Sequence, residues 1–163
     1  MRTHSGSKKA GGSGSLYRLI YCSHNVITQF LPGIDAEAVV RSILNAARAR
    51  NKADDVTGAL LFTDAGFAQV LEGPREVVER TFERINADPR HAHVTVLSFT
   101  PTERRSFPDW PMGFSRQASP GSAAPLEGLL ADATYAGPRA TTGSDVLRLL
   151  EKLVQREEEW VAV

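Results

Sequence analysis

Three neutral hydrogen-bonding side chains stand where apolar residues are expected. Gln69 lies between Phe67 and Leu71 in the segment FAQVLEG. Residues two apart in a strand share a face, so Gln69 interrupts an apolar row that a core should cover. A buried amide without partners costs about 1–3 kcal/mol, so this one needs hydrogen-bonding neighbours. Tyr21 sits mid-strand in LYRLIYCS on the face of Leu19, and Asn51 extends a helical row of Val40, Ile43, Leu44 and Ala47. Each has a plainer reading on its own. Tyr21 can be a core tyrosine with its hydroxyl at the edge, Asn51 a left-handed helix cap, and Gln69 a solvent-facing residue in the other register. Their joint occurrence points instead to a ring of donors and acceptors around a flat ligand with polar edges. Ile43 and Ile85, on two successive helical rows, are placed to grip its faces.

The elements that must position these residues follow from periodicity. Leu16–Ser23 reads as a strand, followed by a loop over His24–Gly33. Asp35 is a candidate N-cap for a helix running to about Arg50. Val56–Gly73 reads as a hairpin with its turn at Asp64-Ala65-Gly66. A second helix opens at Gly73-Pro74, carries Val78, Phe82 and Ile85 inward, and ends at Asp88-Pro89. His93–Thr100 is a strand of high β-propensity, and Trp110–Ser115 reads as a short last strand. The order β-α-β-β-α-β-β predicts an α+β, ferredoxin-like sheet with two helices on one face. Arg116–Thr142 reads as a loose connector, with a helical turn around Leu126–Asp132. Ser144–Trp160 has an amphipathic stripe of Val146, Leu149, Leu150, Leu153 and Trp160. A lone helix of that length is marginal, so it is expected to dock on the sheet face away from the first two helices, in its own subunit or a neighbour's.

Composition narrows the classes. The chain has 163 residues, 42% hydrophobic and 23% charged, with zero net charge. The basic excess of a nucleic-acid binder is absent. No apolar run reaches the roughly 18 residues of a membrane span. Residues 1–15 are Gly/Ser-rich, lack the apolar core of a secretory signal, and read as a disordered leader, native or appended. One cysteine, Cys22, excludes an intramolecular disulfide and fits a reducing, cytoplasmic setting. The histidines show no metal-ligand spacing.

The segments LYRLIYCS, ARARN, VTGALLF, FAQVLEG, ADPRH (Ala87–His91) and RRSFPDWPMGFS occur in the order and spacing of the BLUF family. The chain resembles these FAD-using blue-light sensor domains over about residues 16–115. The resemblance implies an FAD whose ring lies between the helices, against Ile43 and Ile85. Asn51 is expected on a ring carbonyl and N–H edge, and Gln69 between Tyr21 and the flavin. Arg84, Asp88, Arg90 and His91 are expected near the ribityl and phosphate parts, although Arg90 and His91 read equally well as a solvated turn.

The resemblance also implies a mechanism. Tyr21 yields an electron and a proton to the light-excited flavin, Gln69 rearranges, and a red-shifted signalling state results without turnover of a substrate. Trp110 and Met112, expected beside Gln69 on a neighbouring strand, would be the first relay, or plain core packing. The 48 residues from Arg116 to Val163 form a linker and C-terminal helix, too short for an enzymatic output domain. The expectation is a sensor, not an enzyme, that signals by contact with a downstream protein or within its own homo-oligomer. The alternatives are a flavin-dependent redox enzyme, which lacks a dinucleotide glycine fingerprint here, and a ferredoxin-like binding module without flavin.

Overall fold

The computed structural model describes residues 15–27, 33–63, 66–117 and 143–161. Five strands form one sheet in the order β4-β1-β3-β2-β5. They are β1 (Leu16–Asn25), β2 (Thr57–Thr63), β3 (Gly66–Pro74), β4 (His91–Thr102) and β5 (Gly113–Gln117). Helix α1 (Ala36–Asp54) joins β1 to β2, and α2 (Arg75–Asn86) joins β3 to β4. Helix α3 (Gly143–Val161) follows β5. This is the expected α+β, ferredoxin-like order. The central pairings are antiparallel, with Tyr21 opposite Gln69 in the β1–β3 register. Only β5 runs parallel to its neighbour, β2.

Alternation divides the sheet into two cores. One face carries Leu19, Tyr21, Leu60, Phe62, Phe67 and Leu71 against Val40 and Leu44 of α1 and Val78 of α2. The other carries Ile20, Cys22, Ala59, Leu61, Ala68 and Val70 against Val146, Leu150 and Val154 of α3. The amphipathic C-terminal helix therefore covers the face away from α1 and α2. Its innermost row is Val146, Leu150 and Val154, while Leu149 and Leu153 flank it half-buried. Val154 escaped the sequence reading because the stripe was traced through Leu153. The Trp160 side chain, the Leu126–Asp132 turn and the hairpin residues 64–65 lie outside the described residues.

Several boundaries move. Asp35 caps α1 by accepting from the Glu37 N–H at 3.0 Å. The helix continues past Arg50 to Asp54, and Asp55 is the left-handed cap at φ 58°. Asn51 is thus an interior helical residue, which removes its plainer reading as the cap. Strand β4 starts earlier than expected, at His91, with a register break at Ile20/Tyr21 and another at Cys22/His24. The last strand begins at Gly113, so Trp110, Pro111 and Met112 lead into it and are not part of it.

Glu72 ties the loop after β4 to the sheet. It is fully buried on β3. Its carboxylate accepts from Arg18 Nε at 2.8 Å and from the backbone N–H groups of Ser106 and Phe107 at 2.9 Å. Arg18 donates in turn to the Arg104 carbonyl and the Ser106 hydroxyl. A buried carboxylate is tolerable only when paired and hydrogen-bonded in this way. Glu72→Ala leaves Arg18 and two amides without their acceptor, and is expected to cost about 3 kcal/mol. Urea unfolding checks this; a loss below about 1 kcal/mol would show that the clasp behaves as a surface pair.

Candidate functional site

The cleft between α1 and α2 opens onto the sheet face that bears Tyr21 and Gln69. Ile43, Ala47 and Ile85 line it from the helices. Phe67, Leu60 and Met112 form its inner wall, and Asp88, Arg90 and His91 its far end. Asn51, Arg84, Arg50 and Thr81 line the adjoining half. The structure thus brings together every residue expected around a ligand in this region: Tyr21, Ile43, Asn51, Gln69, Arg84, Ile85, Asp88, Arg90 and His91.

The deepest polar groups form a chain. Tyr21 and Gln69 are 2% and 5% exposed, which excludes the solvent-facing register for Gln69. The Tyr21 hydroxyl donates a short hydrogen bond to Gln69 Oε1. The Gln69 Nε2 amide donates to Met112 Sδ at 3.4 Å. A primary amide has an acceptor at one end and donors at the other, so Gln69 satisfies a donor on one side and a weak acceptor on the other. Burial pushes the Tyr21 phenol well above its ordinary value, and the nearby Asp88 carboxylate pushes the same way. The hydroxyl therefore stays protonated.

The polar end of the cleft is preorganised. Arg90 forks onto the Asp88 carboxylate, with Nε at 2.8 Å from Oδ1 and Nη2 on Oδ2. The Arg90 hydrogen bond holds the Asp88 carboxyl below the usual carboxylate range, against the opposing effect of burial. His91 Nε2 lies 2.7 Å from the Ile85 carbonyl and Nδ1 2.8 Å from Ser23 Oγ. A carbonyl only accepts, so Nε2 carries a proton. Both ring nitrogens are thereby engaged by the protein. His91 braces the end of α2 against β1 with its ring edge-on to Tyr21 and Phe67, and lines the cleft beside Asp88 and Arg90.

The expected relay pair separates. Met112 is buried at Gln69. Trp110 does not lie beside Gln69: it packs with the opposite core, stacked on Phe107. The reason is local geometry. Residues 110–112 cross the end of the sheet, so neighbours two apart need not share a face as they would in a strand. Gly113 makes room for this, because a Cβ there would come within 2.8 Å of both the Trp110 ring and the Val154 side chain. Three consecutive carbonyls fix the crossing. The Gly58 N–H donates to Trp110 O at 3.1 Å, Asn51 Nδ2 to Pro111 O at 2.8 Å, and Arg48 Nε to Met112 O at 3.0 Å. The sequence assigns Arg48 no role, because it falls outside the apolar row of α1. Among the described residues no group of histidine, cysteine or carboxylate side chains is arranged to hold a metal.

Comparisons with known proteins give the family. The family described as BLUF, sensors of blue-light using FAD, matches residues 16–113. The chain belongs to this family of flavin-binding blue-light sensor domains. It is 32% identical over 125 residues to the photoactivated adenylate cyclase subunit beta of Euglena gracilis, covering 76% of this chain but only 14% of that protein. Among solved structures it superposes on BlsA in its photo-activated state with a TM-score of 0.67 and 28% identity, covering 85% of this chain and 94% of that one. It also matches Klebsiella pneumoniae BlrP1 with FMN and cyclic diGMP, at a TM-score of 0.57 and 27% identity, covering 89% of this chain and 36% of that one.

The Tyr21 shift carries a pH expectation. Its folded value lies above the ordinary 10.0, so its contribution to stability is complete below that pH and is lost as the pH rises further. Up to about pH 11, the wild-type and Tyr21→Phe chains should release the same number of phenolic protons in an ultraviolet titration. One extra reversible ionisation in the wild type would show that Tyr21 is open to solvent.

Proposed function

We propose that the chain is a cytoplasmic blue-light photoreceptor that binds FAD and signals through protein contacts without turning over a substrate. The buried Tyr21–Gln69–Met112 hydrogen-bond chain at the floor of an Ile43/Ile85 cleft carries this reading. The donor set fits a flavin: apolar side chains oppose each other across a slot, amides stand at its inner edge, and a charged pair stands at its far end. Ile43 and Ile85 would hold the ring faces, Asn51 and Gln69 its polar edge, and Arg84, Asp88 and Arg90 the ribityl and phosphate end. A bound flavin supplies blue-light absorption and an excited state that takes up an electron.

The protein residues then do the following. Tyr21 would supply the electron, and its hydroxyl proton would pass along the existing bond to Gln69 Oε1 as the Gln69 Nε2 amide gives up a proton toward the acceptor of that electron, so that Gln69 stays neutral. A phenol that gives up both together never exposes a buried charge, which the low-dielectric interior would penalise. The Gln69 amide would then reorient and present its nitrogen to Tyr21, with the electron and proton returned to the phenol. What persists is a changed hydrogen-bond pattern, worth a few kcal/mol at most and enough to bias a two-state element. Met112 loses or changes its contact with Gln69. The crossing 110–112 would carry that change to Trp110, which packs against the core that includes Val146, Leu150 and Val154 of α3. The output is then altered docking of α3, offered to a downstream protein or to a second copy of the chain.

The purified protein should be yellow and release FAD on denaturation; a colourless protein with no extractable flavin would overturn the reading. Tyr21→Phe removes the hydroxyl and little volume, so flavin should remain and the reversible red shift should vanish. Gln69→Leu should do the same through loss of the amide. A normal red shift in either variant, recorded before and after blue light, would contradict the roles assigned. Asn51→Ala should lower flavin occupancy by leaving a polar ring edge unpaired, measured as the ratio of flavin to protein absorbance.

A further inference from the structure

A second cavity lies on the other side of α1 from the flavin cleft. It encloses about 460 Å³ between α1 and β5, within the range of ligand sites, and β5 is an edge of the sheet. Its floor is apolar: Val40, Leu44, Phe62 and Phe114. Its rim is basic. Arg41, Arg48 and Arg116 face it with Glu37 as the single carboxylate. Glu37 is already paired with Arg116, which also lies over the Phe62 ring. Arg41 has no ion-pair partner among the described residues. A local excess of positive charge over an apolar floor stands out in a chain of zero net charge.

We infer that this groove docks an acidic amphipathic helix of a partner protein, and that the docking is coupled to the Gln69 switch through Arg48. The shape fits a helix. From Glu37 to Arg48 the lining follows one face of α1 for about 16 Å, three turns, which suits a partner helix laid alongside with its apolar stripe down. Charge complementarity selects an acidic partner. The coupling is a two-bond path: Arg48 Nε donates to Met112 O, and Met112 Sδ accepts from Gln69 Nε2. A partner carboxylate that draws on the Arg48 guanidinium competes with the Met112 carbonyl. A reoriented Gln69 shifts Met112 and so changes what Arg48 can offer. Linkage makes the effect reciprocal. The inference rests on the photosensor reading for its light dependence, but the groove and its charge stand without it.

The test uses the full flavin-loaded chain and a fluorescent synthetic helix of about 15 residues, with Leu on one face and Glu on the other. A second peptide replaces each Glu with Lys. Fluorescence anisotropy should show that the Glu peptide binds, more weakly at higher salt, and that the Lys peptide does not. Arg41→Glu should weaken binding about tenfold while the red shift stays that of the wild type. Dark and illuminated affinities should differ by about threefold or more, and Arg48→Gln should remove that difference, with its own red shift recorded on the same samples. Equal binding of the two peptides, indifference to Arg41→Glu, or equally tight binding of a single-stranded oligonucleotide would overturn the docking assignment. Equal dark and lit affinities in a protein that does show the red shift would overturn the coupling. Absence of any red shift would refute the photosensor reading, while the dark measurements still decide the groove.

Discussion

The proposed switch depends on keeping a short neutral hydrogen-bond chain dry. Tyr21, Gln69 and Met112 meet at the middle of the sheet, with Phe67, Leu60 and Ile85 around them. In water, such bonds exchange with solvent and carry little net energy. In the interior, each unmet donor or acceptor is costly, so the amide has few alternatives and each is well defined. Neutrality is the second half of the constraint. A charged side chain at Gln69 would need a counter-charge, as Glu72 needs Arg18 three residues further along the same strand. An amide can be turned end for end without moving net charge, and only its partners change.

The two faces of the sheet divide the labour. The α1/α2 face holds the cleft, and the α3 face holds the second core. The link between them is the crossing at residues 110–112, whose three carbonyls are held by two elements: β2 through Gly58, and α1 through Asn51 and Arg48. On the reading proposed above, Asn51 serves twice, lining the ligand cleft with one end of its amide and bracing Pro111 with the other. Glu72 adds a further tie at the far end of the same loop. A segment held at several points transmits a displacement where a loose one would absorb it, which is the physical basis for expecting α3 to respond to Gln69.

Much of this was legible in the sequence. Alternation in FAQVLEG and LYRLIYCS put Gln69 and Tyr21 on one face, and the strand register indeed pairs them directly. The row Val40, Ile43, Leu44, Ala47 and Asn51 placed the asparagine on the inner side of α1, and the stripe of α3 required a second covered face. What failed to show was what depends on irregular backbone or on distant partners. Trp110 and Met112 share a face only if the chain between them is a strand, and it is not. His91 reads as an exposed turn residue until the end of α2 brings the Ile85 carbonyl to its ring. Glu72 lies on the apolar side of its strand, and its partners Arg18, Ser106 and Phe107 come from two other segments that no local pattern connects to it. Arg48 and the groove beyond α1 are likewise products of packing.

On the function proposed, light changes the hydrogen bonding of one side-chain amide. Light-minus-dark infrared difference spectra of the flavin-loaded chain, taken with ordinary and with side-chain ¹⁵N-labelled glutamine, address it directly. The expected result is a label-sensitive amide band that shifts on illumination, returns in the dark with the same time course as the red-shifted absorbance, and is missing from the Gln69→Leu chain. A difference spectrum unaffected by the glutamine label, in a protein that still shows the red shift, would contradict it.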